Sequence, residues 1–448
     1  MKIAKGGIAS QHGLAFSLET LIYIVILFFY FRPGYYVVGA SLYKLMSLVI
    51  ICILGGIVVF TVVSAANRLI LKSKRSYCPS LAVVFLVLTF SWCLIGSTVI
   101  NKAVGRSVDM NSAMNAFAST VGIILLSDIG LSRNPKRYMG CFVAVGSFMC
   151  FLNEITMFLF GHSGGIYSDV SARGLDISTY YLLAEDNATF YWVWPVLILV
   201  WVYYYKFDSS SIMKLWAIVF TISTVGAYVY VWSVMAMLGL SITAVFILIF
   251  GIFNKRTKTP RLTKKHRFSL FNVSWLLAAL FSYLMSIKLI FQYFGEYIEL
   301  YLNKSATLTG REYIWQTALS YINRALLFGY GYEPQSVSIA KLGINHTHNI
   351  LLETMYRGGI IGLILFAVAL FMIGSRAKKV QDNPMYKMLI AASFLFLMLC
   401  SVEFAFYRYP YLIVFVLLCH DELFEVDELT QAEAMLKPRR RRKVRLTL

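Results

Sequence analysis

Long apolar runs recur along the whole chain, from LIYIVILFFYF at 21–31 to YLIVFVLLC at 411–419, and they leave few folds open. A helix needs roughly 20 apolar residues to cross a hydrocarbon core. An all-helical bundle follows, because strands leave bare edges in lipid unless they close into a barrel. Hydrophobic residues make up 59% of the 448 and charged residues only 14%, outside the soluble range. The expected fold class is therefore an all-α polytopic membrane protein with about twelve transmembrane helices. Their centres fall near residues 23, 52, 90, 118, 148, 198, 221, 243, 279, 366, 394 and 414.

Charge placement gives the orientation. With a cytoplasmic N terminus, the inner segments hold roughly seven in ten of the 41 basic residues, as the positive-inside rule requires. Both termini are then cytoplasmic, and the net charge of +19 is a signature of topology. The basic stretches NKRTKTPRLTKKHR (254–267) and KPRRRRKVR (437–445) read as a loop and a tail that touch anionic headgroups, not as nucleic-acid sites. DELFEVDEL at 421–429 reads as a short surface helix. The seven cysteines show no CxxC pair and none falls in an outer loop, so no disulfide is expected. The first apolar run lacks a small-residue cleavage site and reads as a retained helix.

Two outer segments are long enough to hold chemistry. Residues 1–290 carry the first nine spans and an outer loop at about 161–189; residues 291–357 form one long extracytoplasmic loop with short helices. Residues 358–420 carry the last three spans, and 421–448 form a basic cytoplasmic tail. Within the longer loop, FQYFGEYIELYLNKS (291–305) reads as an interfacial helix. Thr309 and Gly310 open a helix with Arg311, Trp315, Ala318 and Leu319 at helical spacing. Gly329 and Gly331 build a turn, and the segment INHTHN (344–349) leads into the tenth span.

Cations are scarce outside, which makes Arg311 and Arg357 informative: both share a loop with the histidines, and guanidinium matches phosphate oxygens bidentately. Arg173, in the shorter loop, is a further outer cation. His346 and His348 suggest a metal only in part, since the loop supplies no third or fourth ligand at metal-site spacing, and no metal is expected. A neutral imidazole at a membrane surface suits a general base. Gly358, Gly359 and Gly362 remove side chains where a helix or a lipid can pack closely.

His348-Asn349, nine residues, Gly359, two residues and Gly362 resembles the histidine motif of the O-antigen ligase and polymerase superfamily, integral membrane glycosyltransferases of the GT-C type. TLTGREYIW and LLFGYGYE resemble the Arg-x-x-x-Trp and Gly-x-Gly segments that precede that motif. The resemblance covers 291–366 closely and makes that loop the catalytic one. It implies a glycan donor on undecaprenyl pyrophosphate, action on the outer face of the bacterial cytoplasmic membrane, and no cofactor, metal or nucleotide sugar. It implies that Arg311 holds the pyrophosphate and that His348 takes the proton of the acceptor hydroxyl. Arg173, Arg357, His346, Asn349, Trp315 and Tyr332 are the implied substrate contacts. Membrane lipid, a flippase and a chain-length regulator of the same pathway are the implied partners, and nucleic acid is not.

One departure bears on the reaction. Many members of the superfamily, notably the ligases, carry a Ser-Arg or Thr-Arg pair at the outer start of the eighth span. Here VWSVMAMLGLS (231–241) has Ser233 and no Arg. That absence, with TLTGR and LLAEDNATFYWVWP (182–195), resembles Wzy-type repeat-unit polymerases of capsule, exopolysaccharide or O-antigen more than ligases. A lipid-linked sugar transporter is the rival from another class. It predicts paired half-repeats, broken helices and mid-membrane ionisable residues, whereas no repeat relates the two halves and Glu154 and Lys288 lie nearer the ends of their spans than the centre.

Overall fold

The computed structural model describes residues 17–31, 40–70, 76–161, 164–170, 177–184, 186–233, 236–243, 268–287, 310–403 and 409–425. The interfacial segment at 291–305, the basic loop at 254–267, Arg173 and the basic tail lie outside them.

Helices dominate. They are α1 (Leu18–Tyr30), α2 (Ala40–Ile70), α3 (Leu81–Ser91), α4 (Ser97–Ala103), α5 (Met110–Arg133) and α6 (Pro135–Phe160). A two-stranded antiparallel hairpin, β1 (Tyr167–Val170) and β2 (Ile177–Tyr180), follows in the segment expected as an outer loop. The order continues with α7 (Asp186–Lys206), α8 (Ser211–Val231), α9 (Leu270–Ser286), α10 (Arg311–Arg324), α11 (Gln335–Leu342), α12 (Ile350–Val380), α13 (Pro384–Leu399) and α14 (Tyr409–Leu418). Seven helical segments among the described residues are long and apolar enough to cross a membrane: 44–68, 81–103, 110–133, 135–160, 188–206, 211–231 and 350–380. Four shorter apolar helices, α1, α9, α13 and α14, coincide with further expected centres, while the centre at 243 falls at the edge of the described residues.

Polar caps set where these helices start. Ser80, Asp109, Asn134, Ser210, Ser269 and Asn383 each precede an apolar run and accept from a first-turn backbone N–H. Pro135 and Pro384 stand at the first helical position, where the missing N–H costs nothing. A π turn over Trp92–Gly96 joins α3 to α4.

Burial orders the bundle. Windows of α5 and α7 are 83% buried against 22% for α2 and 28% for α8, so α5 and α7 are central and α2 and α8 face outward. The long α12 packs on α3 and α9, and α14 packs on α5, α7 and α13. Gly358 and Gly362 lie against Cys93, where an added Cβ would come within 3 Å of the sulfur. The glycines therefore admit α12 to the π turn, as close helix packing requires.

At Gly359 the helix breaks (φ 61°, ψ −161°). Backbone groups freed there are taken by the 326–331 loop: Ile360 N–H donates to Leu326 O (2.8 Å), Gly331 N–H to Arg357 O (2.9 Å) and Tyr330 N–H to Tyr356 O (2.7 Å). Ser97 Oγ donates to Arg357 O (2.7 Å) and Trp92 Nε1 to Gly358 O (2.8 Å), so α4 and the π turn close the junction.

At the far end of α12 a second polar cluster ties the last helices to α5. His420 bonds Asp128 Oδ1 through Nε2 (2.8 Å) and Glu422 Oε1 through Nδ1 (2.7 Å). Tyr77 donates to the other Asp128 oxygen (2.5 Å), and Arg376 of α12 pairs with Asp421 and Glu422.

Candidate active site

Four elements meet at the start of α12. Asn349 caps it, its Oδ1 accepting from Leu351 N (3.0 Å), Leu352 N (3.1 Å) and Ser282 Oγ of α9 (2.8 Å). Its Nδ2 donates to Ser282 O (3.1 Å) and Ser401 O (3.2 Å), and Ile350 N donates to Cys400 O (2.8 Å). One buried amide thus fixes α9, α12 and the α13–α14 connection together. Glu353, in the first turn, accepts from Thr347 N (2.8 Å) and from Arg357 Nε.

These ties hold the His346–His348 segment in a tight bend. His348 has φ +51°, a left-handed conformation that a non-glycine side chain occupies only under outside constraint. Trp315 of α10 supplies part of that constraint: it is fully buried, and its Nε1 donates to Thr347 O (2.8 Å).

The bend brings His348 to Glu403, a residue the sequence reading did not single out. His348 Nδ1 lies 2.8 Å from Glu403 Oε1, and Arg311 Nη2 donates to Glu403 Oε2 at 2.8 Å. One carboxylate therefore bridges the imidazole and the guanidinium. His346 lies beside His348 with the rings tilted at 49° and their centroids 4.2 Å apart, and its Nε2 is 3.9 Å from Glu403 Oε1. The side chains of Arg311, Glu403, His346 and His348 are between 13% and 23% exposed, so each is largely desolvated yet reachable.

Electrostatics assign the protons. Burial would raise the Glu403 carboxyl, but the donors on His348, His346 and Arg311 hold it well below the usual carboxylate range. Burial pushes His348 below its ordinary value; the His346 ring and Arg311 push the same way, against Glu403. Near neutral pH this gives an ionised Glu403 and a neutral His348. A carboxylate at Nδ1 selects the tautomer with the proton on Nδ1, leaving Nε2 as a lone-pair acceptor. A base and a cation then stand two hydrogen bonds apart, an arrangement suited to accept a proton while stabilising an anionic leaving group.

Residues 219–367 match the family described as O-antigen ligase. The matched segment is about a third of the chain, runs from α8 past the start of α12, and contains Arg311, His346 and His348. It supports the O-antigen ligase/polymerase superfamily and stops short of Glu403. No curated protein matches the chain.

The remaining expected contacts divide. Arg357 pairs with Glu353 and its guanidinium carbon stands 4.4 Å from the centre of the Tyr332 ring, so these two form a neighbouring unit joined to the histidine bend through Glu353. Asn349 and Trp315 are fully buried, with polar atoms bonded to protein, so they build the site from behind. Ser233, near the end of α8, is buried as well. His346, His348 and Glu403 also place three metal-type ligand atoms within 4.8 Å of one another. The third ligand that the loop lacks thus comes from the α13–α14 connection. Arg311 is bonded to the same carboxylate, and a divalent ion there would meet that like charge.

Proposed function

We propose that this chain is a metal-independent, GT-C type membrane glycosyltransferase. It polymerises oligosaccharide repeat units carried on undecaprenyl pyrophosphate, for a capsule, exopolysaccharide or O-antigen, and acts on the outer side of the bacterial cytoplasmic membrane. On this reading twelve spans put both termini inside and the 291–357 catalytic loop outside. The observation that carries it is the Glu403 bridge between His348 and Arg311.

His348 Nε2 takes the proton of the acceptor hydroxyl as that oxygen attacks the anomeric carbon. The bond from that carbon to the pyrophosphate oxygen breaks, and the leaving charge falls to Arg311, with Arg357 and Arg173 as further phosphate contacts. Glu403 stays ionised and stabilises the imidazolium as it forms. Tyr332 and His346 line the approach of the sugar. The missing Arg near Ser233 favours polymerase chemistry, while the description of the matched family favours ligation of a finished chain to its final acceptor.

The size distribution of lipid-linked and surface glycan separates the two. In cells with a deletion or His348→Ala, a polymerase leaves single repeat units on the lipid, and a ligase leaves long chains on the lipid that never reach the acceptor. Normal surface glycan in both strains would exclude either reading.

A further inference from the structure

Away from the His348 bridge, cations and apolar side chains share one face of the junction between α4, α10 and the 326–331 loop. Arg106 stands over the Tyr330 ring (4.9 Å to its centre) and Arg324 over Tyr321 (5.4 Å), and the two rings meet edge to face at 6.1 Å. Lys341 also lies over Tyr330 (4.0 Å), but Glu333 neutralises it. Arg106 donates to Asn101 Oδ1 (2.8 Å), and nearby Asp109 caps α5. Lys102, Arg106 and Arg324 are exposed and make no ion pair among the described residues.

The apolar part has a measurable depth. Leu326 O accepts from Ile360 N–H, the first residue of α12 after the break at Gly359. Beyond the break the helix runs unbroken from 360 to 380, roughly 30 Å at 1.5 Å per residue, which alone matches a hydrocarbon core, so on the proposed topology Ile360 lies at its outer edge. Leu326, Leu327 and Phe328 are exposed at that level, with Val104 exposed just beyond α4. Arg324 and Arg106 stand beside these residues in the chain, where headgroup phosphates begin.

We propose that Lys102, Arg106 and Arg324 seat the phosphate of an anionic phospholipid whose acyl chains lie along Val104, Leu326, Leu327 and Phe328. Charge selects the headgroup and the exposed leucines select an occupant with tails. The rings of Tyr321 and Tyr330 hold the guanidinium groups in place. Such a lipid would brace the loop that closes the break at Gly359, within the same helix that His348 precedes.

The test uses the full-length protein in detergent, with native mass spectrometry of added phosphatidylglycerol or phosphatidylcholine. Wild type should retain phosphatidylglycerol preferentially. Arg106→Gln with Arg324→Gln should weaken its tightest binding on the order of 30-fold, at about 1 kcal/mol per charge, and leave phosphatidylcholine unchanged. Arg324→Gln alone, checked for an unaltered melting temperature, should show roughly fivefold. Wild-type affinity in the folded variants, or no preference in wild type, overturns the proposal. Retention of farnesyl pyrophosphate but not phosphatidylglycerol overturns it too, by making the occupant a polyprenyl diphosphate.

Discussion

Glutamine at position 403 changes one oxygen for an amide nitrogen and almost nothing in volume. Arg311 Nη2 needs an acceptor at the Oε2 position, so the amide oxygen settles there and the amide NH2 faces His348 Nδ1. The imidazole then accepts at Nδ1 and carries its proton on Nε2, where the base should be. A positioned general base is worth about 10²–10⁴ in rate, or roughly 3–5 kcal/mol at 1.36 kcal/mol per tenfold. Glu403→Gln is therefore expected to approach the loss seen with His348→Ala, measured as turnover of a lipid-linked glycan by purified protein, and Glu403→Asp is expected to recover part of it. The pH profile adds a readout that a purely structural defect would not move. Wild-type activity should fall in acid with a midpoint below 6.5, because His348 is held below its ordinary value and acts as the neutral form. Glu403 pulls that value upward, so residual activity in Glu403→Gln should persist to lower pH. Activity within about threefold of wild type, on an unchanged pH profile, would refute the dyad.

Asn349→Ala removes a cap and leaves Ser282 and Ser401 without their buried partner, a cost of about 2–4 kcal/mol that should appear as a lower melting temperature in detergent. The His420 cluster should fail in alkali. Burial opposes the charge, but bonds to Asp128 and Glu422 raise His420 to about 9. Its contribution is fully present below pH 6.5 and is lost as pH rises through about 9, roughly 3 kcal/mol in all. Thermal inactivation of wild type should steepen across that window, while His420→Gln should start lower and change little with pH.

Much of the fold was legible because lipid imposes apolar continuity, and eleven of the twelve expected centres fall in helices between α1 and α14 as labelled above. Length was harder: α1, α9, α13 and α14 run 10 to 17 residues, short of a full crossing by length alone. In the site, Arg311 and Trp315 were visible as one helical face, and His348 as part of a motif. Glu403 was not, since no periodicity links it to a histidine 55 positions away. A signal did exist: it is the lone carboxylate between the apolar runs 384–399 and 409–418, and a charge in such surroundings is costly without a partner. The burial of Asn349 was equally hidden, because an asparagine ahead of a helix reads the same whether it meets ligand or protein.

The bridge at Glu403 also sets an order of events in biosynthesis. Arg311 and His348 leave the ribosome 92 and 55 residues before their shared carboxylate. A nascent chain that has inserted α12 but not α13 holds a guanidinium and an imidazole with nothing between them to set the tautomer. On the proposed mechanism, competence arrives only when the α13–α14 hairpin enters the membrane and delivers the acid, so a translation product truncated after residue 380 is expected to carry the recognisable motif and remain inert.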